Sequence, residues 1–518
     1  MTLQAYPIGV QTFEKIRKDD CLYIDKTQYI RMMMEDNLYY VFLARPRRFG
    51  KSLFTSTLEA YFEGRKELFE GLSICKWEKD WIKYPVLHFD MSTVKSLNEQ
   101  ELGNELNKKL TRYERIYGRD EIDVDYKQRL EGLITRAYEK TGKQVVVLID
   151  EYDAPLLKVV HDSGNFSYMR DFMRSFYSPL KSCDKYLRFV YITGITKFSQ
   201  LSIFSELNNL NNISFDEKYS AICGITQEEL ETQMSDHIDY FAEMKNDTRE
   251  NIIAKLKQNY DGYHFSWPSS DIYNPFSLMN SFQKLSFMQY WFDSGTPSVL
   301  LSLLPKYDIK PTDLGETRLS LDDFNVALDN AETYHPLLYQ SGYLTIKGFS
   351  PELEEYIIDV PNKEVRIGLI KSLVSSYISV GKVPTNAIVR KMSACLMKED
   401  IDGMLRLVQT FLSTVPACDN TKYEGHWQQV LFIIFSMLGE LVDVEVRTAT
   451  GRIDMVMYGR KANYVFEIKM DSDASTAINQ IDTRRYADRF ALSGLHTVKV
   501  GVNFDNEKHT IGEWIIEC

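Results

Sequence analysis

Several features are scarce in this sequence of 518 residues, and each scarcity argues against a class of protein. The seven cysteines are scattered and never form a Cys-x-x-Cys pair, which disfavours a disulfide framework or a cysteine zinc site and predicts reduced thiols in a cytoplasm. No apolar run approaches a membrane span, and the first residues show no basic start followed by an apolar segment. We therefore expect a soluble, cytoplasmic protein without membrane contact.

Basic residues are also fewer than acidic residues. The chain has 61 Lys and Arg against 73 Asp and Glu, a formal net charge of -12. From Glu424 to Cys518 there are ten basic and fourteen acidic residues. Because contacts to nucleic-acid phosphates require Lys and Arg, this balance disfavours a simple nucleic-acid binder. A nucleic-acid substrate would then be delivered by a partner or by another part of the chain.

A phosphate-binding loop is predicted near the N-terminus. The apolar stretch 39–44 has the character of a buried strand, and it runs into the sequence RPRRFGKS at 45–52. This pattern resembles a Walker A loop, in which backbone N–H groups and a helix N-terminus hold phosphates. In that resemblance Lys51 reaches the terminal phosphates of ATP and Ser52 holds Mg²⁺.

The loop departs from the usual Walker A pattern at its first glycine. Arg45 occupies the position five residues before Gly50, where the pattern has glycine. The three arginines of the loop either compensate electrostatically or form a solvated turn, and both alternatives stay open on the sequence. We assign Arg45, Arg48 and Gly50 to nucleotide binding together with the lysine and serine that follow.

A second buried strand carries the acidic partners of this loop. The apolar run 144–149 has no alternation, which favours a parallel strand covered on both faces, and it ends in Asp150 and Glu151. Such carboxylates lie where open α/β sheets bind ligands. The run resembles a Walker B strand, which implies that Asp150 holds Mg²⁺ and Glu151 polarises the attacking water. The alternative is a core strand that ends in a solvated turn.

Two further strands are predicted at 85–90 and 188–194. The second ends in polar residues and resembles the sensor strand of ATPases that insert a strand between the two Walker strands. That resemblance implies that Thr193 contacts the γ-phosphate or the attacking water. These elements together resemble the core of the AAA+ and related ATPases.

A hairpin near the C-terminus combines two acids and a lysine. Asp454 begins one strand, and the strand 464–469 carries Glu467 and Lys469 on one face because residues i and i+2 share a face. Pairing through the short connection 459–461 places Asp454 close to Glu467. Two carboxylates at this density suit Mg²⁺ or Mn²⁺, which activates water against a phosphodiester. The alternative is a surface hairpin with a weak ion pair.

The hairpin resembles the core of the PD-(D/E)XK nuclease superfamily from about Tyr423 onward. The resemblance implies a further metal-binding acid on the preceding helix, for which Glu424 is the candidate, and a glutamine on the following helix, which Gln480 matches. No proline precedes Asp454, a position that varies in the superfamily. The resemblance implies that Asp454, Glu467 and Lys469 are catalytic.

The N-terminal portion resembles the bacterial AAA-ATPase-like family. The resemblance rests on YPIG at 6–9, YIDKT at 23–27, the loop at 45–52 and SELNN at 205–209. Members commonly join this ATPase to a PD-(D/E)XK domain, so the resemblance covers nearly the whole chain. Arg45 belongs to the loop's usual form in that family. AAA+ relatives often form rings, which makes a homo-oligomer or a protein partner conceivable.

The length exceeds a single core and predicts two to four domains. We predict an α/β protein with a P-loop NTPase (AAA+-like) parallel sheet domain at 1–226. A mainly helical lid with a winged-helix-like hairpin follows at 227–416, and a restriction-endonuclease-like α/β domain at 417–518. Within the lid, the sequence YDGYHF at 260–265 is interpreted as a packed aromatic turn.

Two functions are compatible with these patterns. The first is an ATP-binding and ATP-hydrolysing protein whose Mg²⁺-dependent nuclease domain cleaves DNA. The second is a nucleotide-switched binding protein whose nuclease-like domain is inactive. The acidic balance favours the second, whereas the complete set of Asp454, Glu467 and Lys469 favours the first.

Overall fold

The structure, a computed structural model, describes residues 3–518 except for 94–98, 160–161, 196–208, 296–315, 327–331, 370–381, 413–429, 432, 436, 439–441, 449–450, 460, 471, 492–493, 506 and 509. The described residues form two compact units. The first contains those of 1–307 and 316–364, and the second contains those of 365–518. Among the described residues, no helix combines the length and apolar character needed to cross a bilayer.

A parallel five-stranded sheet forms the centre of the first unit. Its strands are β1 (Tyr40–Ala44), β2 (Val86–Asp90), β3 (Val145–Asp150), β4 (Leu187–Gly194) and β5 (Asn211–Asn212). They lie in the order β2-β3-β4-β1-β5, and every neighbouring pair is parallel. All of β3 is buried, as its unbroken apolar run predicts. The inserted strand that the sequence predicts is confirmed, because β4 lies between β1 and β3.

Helices surround this sheet and continue beyond it. They are α1 (Phe13–Lys18), α2 (Gln28–Glu35), α3 (Lys51–Phe62), α4 (Glu99–Tyr117), α5 (Tyr126–Thr141), α6 (Ala154–Val159), α7 (Ser163–Tyr177), α8 (Pro179–Ser182), α9 (Gln227–Gln233), α10 (Ser235–Lys245), α11 (Arg249–Tyr260), α12 (Pro275–Lys284), α13 (Tyr290–Gly295), α14 (Leu321–Phe324) and α15 (His335–Gln340). Short 3₁₀ turns occupy Lys66–Phe69, Ser73–Lys76, Asp184–Tyr186, Ile213–Phe215 and Glu217–Tyr219.

Local sequence explains where several of these helices begin. Thr226 forms a capping box with Glu229 at the start of α9. Asn274 accepts the Ser277 N–H at the start of α12, and Pro275 occupies the first turn. These helices agree with the mainly helical character that the sequence predicts from residue 227 onward.

Two small sheets complete the first unit. The strands β6 (Ile225–Thr226) and β7 (Ile272–Tyr273) pair with each other. The other sheet has the order β8 (Thr317–Leu319), β10 (Glu355–Asp359), β9 (Thr345–Ser350), and both pairings are antiparallel. The hairpin predicted within 227–416 is therefore confirmed as the β9 and β10 pair. The strand β8 is an additional strand that the sequence does not predict.

The second unit contains a mixed five-stranded sheet. Its strands β11 (Val442–Thr448), β12 (Gly451–Tyr458), β13 (Ala462–Met470), β14 (His496–Asp505) and β15 (Thr510–Glu517) lie in that order. The strands β13 and β14 pair in parallel, and the other neighbouring pairs of this sheet are antiparallel. The helices of this unit include α16 (Lys382–Met397), α17 (Ile401–Leu412) and α18 (Ala474–Thr483), and a 3₁₀ turn occupies Tyr486–Phe490.

Apolar clusters cover both faces of this sheet. One face packs on α16 and α17, because α17 buries residues at helical spacing: Ile401, Met404, Leu405, Val408, Phe411 and Leu412. The other face packs on α18 through Ile478 and Ile481. The sequence predicts a lid over 227–416, whereas α16 and α17 pack within the second unit, whose described residues start at Val365. The predicted 416/417 boundary lies outside the described residues.

Candidate functional site

The loop between β1 and α3 has the geometry expected of a phosphate-binding loop. Gly50 precedes the first residue of α3 with φ +98°, a backbone conformation that side chains disfavour. The helix N-terminus therefore presents free N–H groups toward the loop. Lys51 is buried, and its Nζ donates to the carbonyls of Arg45 (3.0 Å) and Pro46 (3.2 Å).

Arg45 is engaged inside the protein. Its side chain is 2% exposed, and its guanidinium donates to the carbonyls of Ser214 (2.9 Å) and Tyr219 (3.1 Å). It also lies 4.2 Å from the ring centroid of Phe265. Burial lowers the pKa of Arg45. These contacts fix the end of β1 against the 3₁₀ turns that follow β5, which favours a structural role for this residue.

Phe49 anchors the other end of the loop. Its ring packs edge-on against Tyr263 and Phe265, with centroids 4.8 and 5.3 Å away. Its carbonyl accepts the N–H of Gly224 at 3.0 Å. The turn predicted at 260–265 is therefore an aromatic support beneath the loop.

The carboxyl ends of β3 and β4 bring the predicted acids and the threonine together. The Thr193 hydroxyl donates to Asp150, and the Glu151 N–H donates to that hydroxyl at 3.2 Å. Glu151 adopts φ +50°, a left-handed conformation that is uncommon for a residue with a side chain. Strained backbone of this kind concentrates at functional sites.

The charges around Glu151 shift the pKa of its carboxyl in opposite directions. Burial raises the pKa of its carboxyl, while the Lys51 ammonium lowers that pKa and the neighbouring Asp150 raises it. A carboxyl with a raised pKa is a better proton acceptor near neutral pH than an exposed one. Its environment therefore suits a base that acts on water.

One cavity of about 540 Å³ collects most of the predicted nucleotide residues. Its lining includes Arg48, Gly50, Lys51, Ser52 and Glu151. This volume falls in the range of small-molecule sites, and a phosphate loop next to carboxylates provides donors for phosphates and oxygen ligands for Mg²⁺. The residues present therefore fit ATP with its cation.

Arg45, Asp150 and Thr193 were also assigned to the nucleotide, and they are absent from the residues that line the cavity. Asp150 and Thr193 contact each other directly behind Glu151. The rest of the wall was missed by the sequence analysis: it comes from 7–11, 22–26, 222–225 and 275–279. These segments are mostly apolar. Apolar segments are typical of a buried core, so their sequence does not indicate that they line a cavity.

The second unit brings its predicted residues together on β12, β13 and α18. The register pairs Met455 with Phe466, so Asp454 and Glu467 are cross-strand neighbours. The Ile468 N–H donates to Asp454 Oδ2 at 2.7 Å. The hairpin predicted from the sequence is confirmed in both its strands and its register.

Glu467 is the centre of this group. Its Oε1 accepts from Lys469 Nζ at 2.9 Å and from the Gln480 amide. Its Oε2 is buried and has no hydrogen-bond partner within the described part of the chain. Burial, and then the charge of Asp454, raise the pKa of Glu467 to about 7, and burial raises the pKa of Asp454.

A divalent cation fits this arrangement. The buried Glu467 carboxylate and the partly buried Asp454 carboxylate are on cross-strand neighbours, and the unpaired buried oxygen of Glu467 is costly unless a cation or donor reaches it. Within the residues that the structure describes, no group of three or more His, Cys, Asp and Glu forms a metal cluster. Glu424, the third predicted metal-binding acid, lies outside the described residues.

A glycine determines how closely the helix that carries Gln480 approaches the sheet. A Cβ at Gly501 on β14 would lie 2.4 Å from the carbonyl oxygen of Ala474 and 2.8 Å from Ile478. Only glycine permits this approach without a shift of the helix. Gln480 reaches Glu467 from this closely packed helix.

Comparisons with known proteins bear on both sites. The family described as "Predicted AAA-ATPase" matches residues 7–204, and the "PD-(D/E)XK nuclease superfamily" matches residues 422–514. A relative from Azotobacter chroococcum mcd 1, "Uncharacterized protein in vnfD 5'region", is 34% identical over 539 residues, covering 100% of this chain and 99% of the relative. The Aeropyrum pernix ORC2 protein (ADPNP-ADP complexes) is 11% identical with a TM-score of 0.24, over 67% of this chain and 93% of that one.

The family matches confirm the family and the order of the two domains that the sequence predicts. The chain belongs to the bacterial AAA-ATPase-like family, and its C-terminal domain belongs to the PD-(D/E)XK nuclease superfamily.

Proposed function

We propose that the first unit binds and hydrolyses ATP. The observation that carries this proposal is that Lys51, Ser52 and Glu151 line one cavity at the carboxyl ends of a parallel sheet. Lys51 and the N-terminus of α3 hold the phosphates, and Gly50 allows the close approach of the main chain. Arg48, at the exposed side of the loop, adds positive charge next to them.

Water activation is assigned to the acidic end of β3. Glu151 accepts a proton from the attacking water, and its raised pKa suits that role. Ser52, which lines the cavity, and Asp150, which lies behind Glu151, would hold Mg²⁺, and the cation would neutralise charge on the phosphates. Thr193 orients Asp150 and the Glu151 main chain through its hydroxyl, and it is the candidate for sensing the γ-phosphate.

We infer that the second unit hydrolyses phosphodiester bonds, with DNA as the substrate. The observation that carries this inference is Glu467, whose buried Oε2 has no donor among the described residues while Asp454 lies across the strand pair. Asp454 and Glu467, with Glu424 as a third candidate, would hold Mg²⁺ or Mn²⁺, and that cation supplies an activated water when bound. Lys469 steadies the charge that develops on the phosphate, and Gln480 fixes the orientation of Glu467.

A nucleotide-switched binding protein is the second candidate. The net charge of -12 favours it, because an acidic surface repels nucleic acid. In this alternative, ATP changes the shape of the first unit, and the second unit recognises a partner without cutting it.

The experiment that separates these functions is cleavage of labelled linear, circular and single-stranded DNA by the full chain. Reactions contain Mg²⁺ or Mn²⁺, with and without ATP. Glu467→Ala removes the central carboxylate, and Glu513→Ala removes an exposed carboxylate of the same unit as the matched control. Cleavage that survives Glu513→Ala and disappears in Glu467→Ala supports the nuclease. Intact ATP hydrolysis without cleavage under any condition would favour the binding protein.

Metal binding gives a second, independent readout. Calorimetric titration with Mn²⁺, in a buffer without nucleotide or other chelators, should show binding to the wild-type chain. Glu467→Ala should remove the part of the heat that belongs to the second unit. A titration unchanged by that substitution would argue that the carboxylates of β12 and β13 hold no cation.

A further inference from the structure

The phosphate loop contains a third arginine whose charge the proposed function leaves unused. We propose that Arg47 supplies, within the same chain, the positive charge that stabilises the phosphoryl group during ATP hydrolysis. This inference rests on the proposed ATPase function and extends it to a further catalytic residue. It also implies that one chain contains a complete hydrolytic site.

The three arginines of the loop have different surroundings. Arg45 is buried among carbonyls, and Arg48 is exposed with its guanidinium 4.8 Å from the Phe276 ring centroid. Arg47 is half-buried and lines the same cavity as Lys51 and Glu151. Its Nε is buried and has no hydrogen-bond partner among the residues that the structure describes. A buried donor without an acceptor is costly, so a ligand oxygen in the cavity would stabilise it.

The main chain of Arg47 is held in place from outside the cavity. The indole Nε1 of Trp291 donates to the Arg47 carbonyl at 3.0 Å. Trp291 is itself fixed, because its N–H donates to Glu364 Oε1 at 2.6 Å. Gly342 lies so close to Pro46 that an added Cβ would come within 2.7 Å of the proline ring. The base of the Arg47 side chain is therefore positioned before any ligand enters.

The Arg47 guanidinium would have a chemical use in this cavity that Lys51 does not supply. Lys51 is tied to the carbonyls of Arg45 and Pro46, so its ammonium occupies one corner of the site. In hydrolysis, the water oxygen bonds to the γ-phosphorus, the bond to the β-phosphate oxygen breaks, and Glu151 accepts the proton of the water. The negative charge on the transferring group is then shared with the leaving ADP, and a guanidinium that contacts both stabilises this state. Arg47 forms no covalent bond in this step.

The first test compares turnover with nucleotide binding in full-length Arg47→Ala and Arg47→Lys. Arg47→Ala should lower kcat by roughly 10³-fold, the scale of a catalytic arginine, while the Kd for ATP changes only about threefold. Arg47→Lys should recover part of kcat, because it keeps the charge but loses the planar fork. Arg31→Ala is the matched control: Arg31 is exposed and pairs with Glu35, so its removal should leave turnover unchanged.

A second readout separates catalysis from structure. ADP with aluminium fluoride imitates the transferring phosphoryl group, so Arg47→Ala should lose affinity for this complex while it keeps its affinity for ADP. Equal loss of both affinities, or wild-type kcat in Arg47→Ala, would overturn the proposal. A wild-type chain that hydrolyses no ATP would overturn the ATPase function itself, which makes the two failures distinguishable.

Mixing inactive variants tests the single-chain site. If Arg47 acts within its own chain, a mixture of Arg47→Ala and Glu151→Gln chains stays inactive, because no chain has both residues. If Arg47 acted on a neighbouring chain, the mixture would recover activity, and the intrachain assignment would be wrong.

Discussion

Replacing Asp261 by asparagine is expected to remove a pH dependence from the stability of the first unit. Asp261 is 1% exposed, and neither of its carboxylate oxygens has a hydrogen-bond partner among the described residues. The charged groups that act on it are Asp271, Lys257 and Lys347. Burial, together with the charge of Asp271, outweighs the two lysines and raises the pKa of Asp261 to about 7.

The size and sign of the effect follow from this pKa. The ordinary pKa is 3.8, so the two values differ by about 3, which corresponds to about 4 kcal/mol at 1.36 kcal/mol per pH unit. Between pH 4 and 7 the folded chain keeps a proton that the unfolded chain has lost, so the free energy of unfolding falls as the pH rises. The stabilising contribution of the neutral carboxyl is complete below about pH 4 and is lost above about pH 7.

The asparagine side chain of the Asp261→Asn variant would keep the shape of the neutral carboxyl without its titration. Hydrogen exchange of peptides from 249–291, corrected for intrinsic rates, measures the local free energy of opening at pH 5 and pH 8. Asp261→Asn should exceed the wild type by roughly 1.5 kcal/mol at pH 5 and by about 4 kcal/mol at pH 8. Asp80→Asn, at an exposed position, is the matched control. The same pH slope in Asp261→Asn and in the wild type would refute the reasoning.

Three further predictions concern the two sites. Lys51→Ala should abolish measurable ATP affinity in a nucleotide titration, because it removes the ammonium next to the phosphates; unchanged binding would contradict its role. Glu151→Gln should bind ATP normally but hydrolyse it about 10²- to 10⁴-fold more slowly in a phosphate-release assay. Wild-type turnover in Glu151→Gln would show that another residue acts as the base. Gly501→Ala should lower the thermal midpoint, at a cost of about 1–3 kcal/mol, because its Cβ meets the Ala474 carbonyl at 2.4 Å. A midpoint equal to that of the wild type would show that α18 shifts freely.

Much of the fold could be predicted where the residues of a segment by themselves determine its structure. The strands β1 and β3 consist largely of unbroken apolar runs, and β4 contains the apolar run 189–192; a run buried on both faces has few other structures available. The β12 and β13 hairpin followed from two strand-like segments and the short connection between them, which determines the register. In the sites, Lys51 and Glu467 stand out because a charged residue beside apolar strands is costly without a partner.

The remaining features depend on contacts between distant parts of the chain. The arginines at 45, 47 and 48 are alike in sequence, and their differences come from carbonyls near Ser214 and from Trp291, 169 and 244 residues away. The apolar segments that line the cavity are equally suited to a core, so the sequence does not mark them as a binding wall. The amphipathic sequence of α17 indicates that one face of the helix is buried, but it does not indicate which sheet covers that face.

The hydroxyl of Thr193 has a consequence for the order of events in the first unit. A hydroxyl carries one hydrogen, and this one is donated to Asp150 while the lone pair of the oxygen accepts the Glu151 N–H. A contact from Thr193 to a phosphate oxygen requires that same hydrogen. Donation to a phosphate and donation to Asp150 therefore exclude each other, so the proposed contact of Thr193 with the γ-phosphate would at the same time release Asp150.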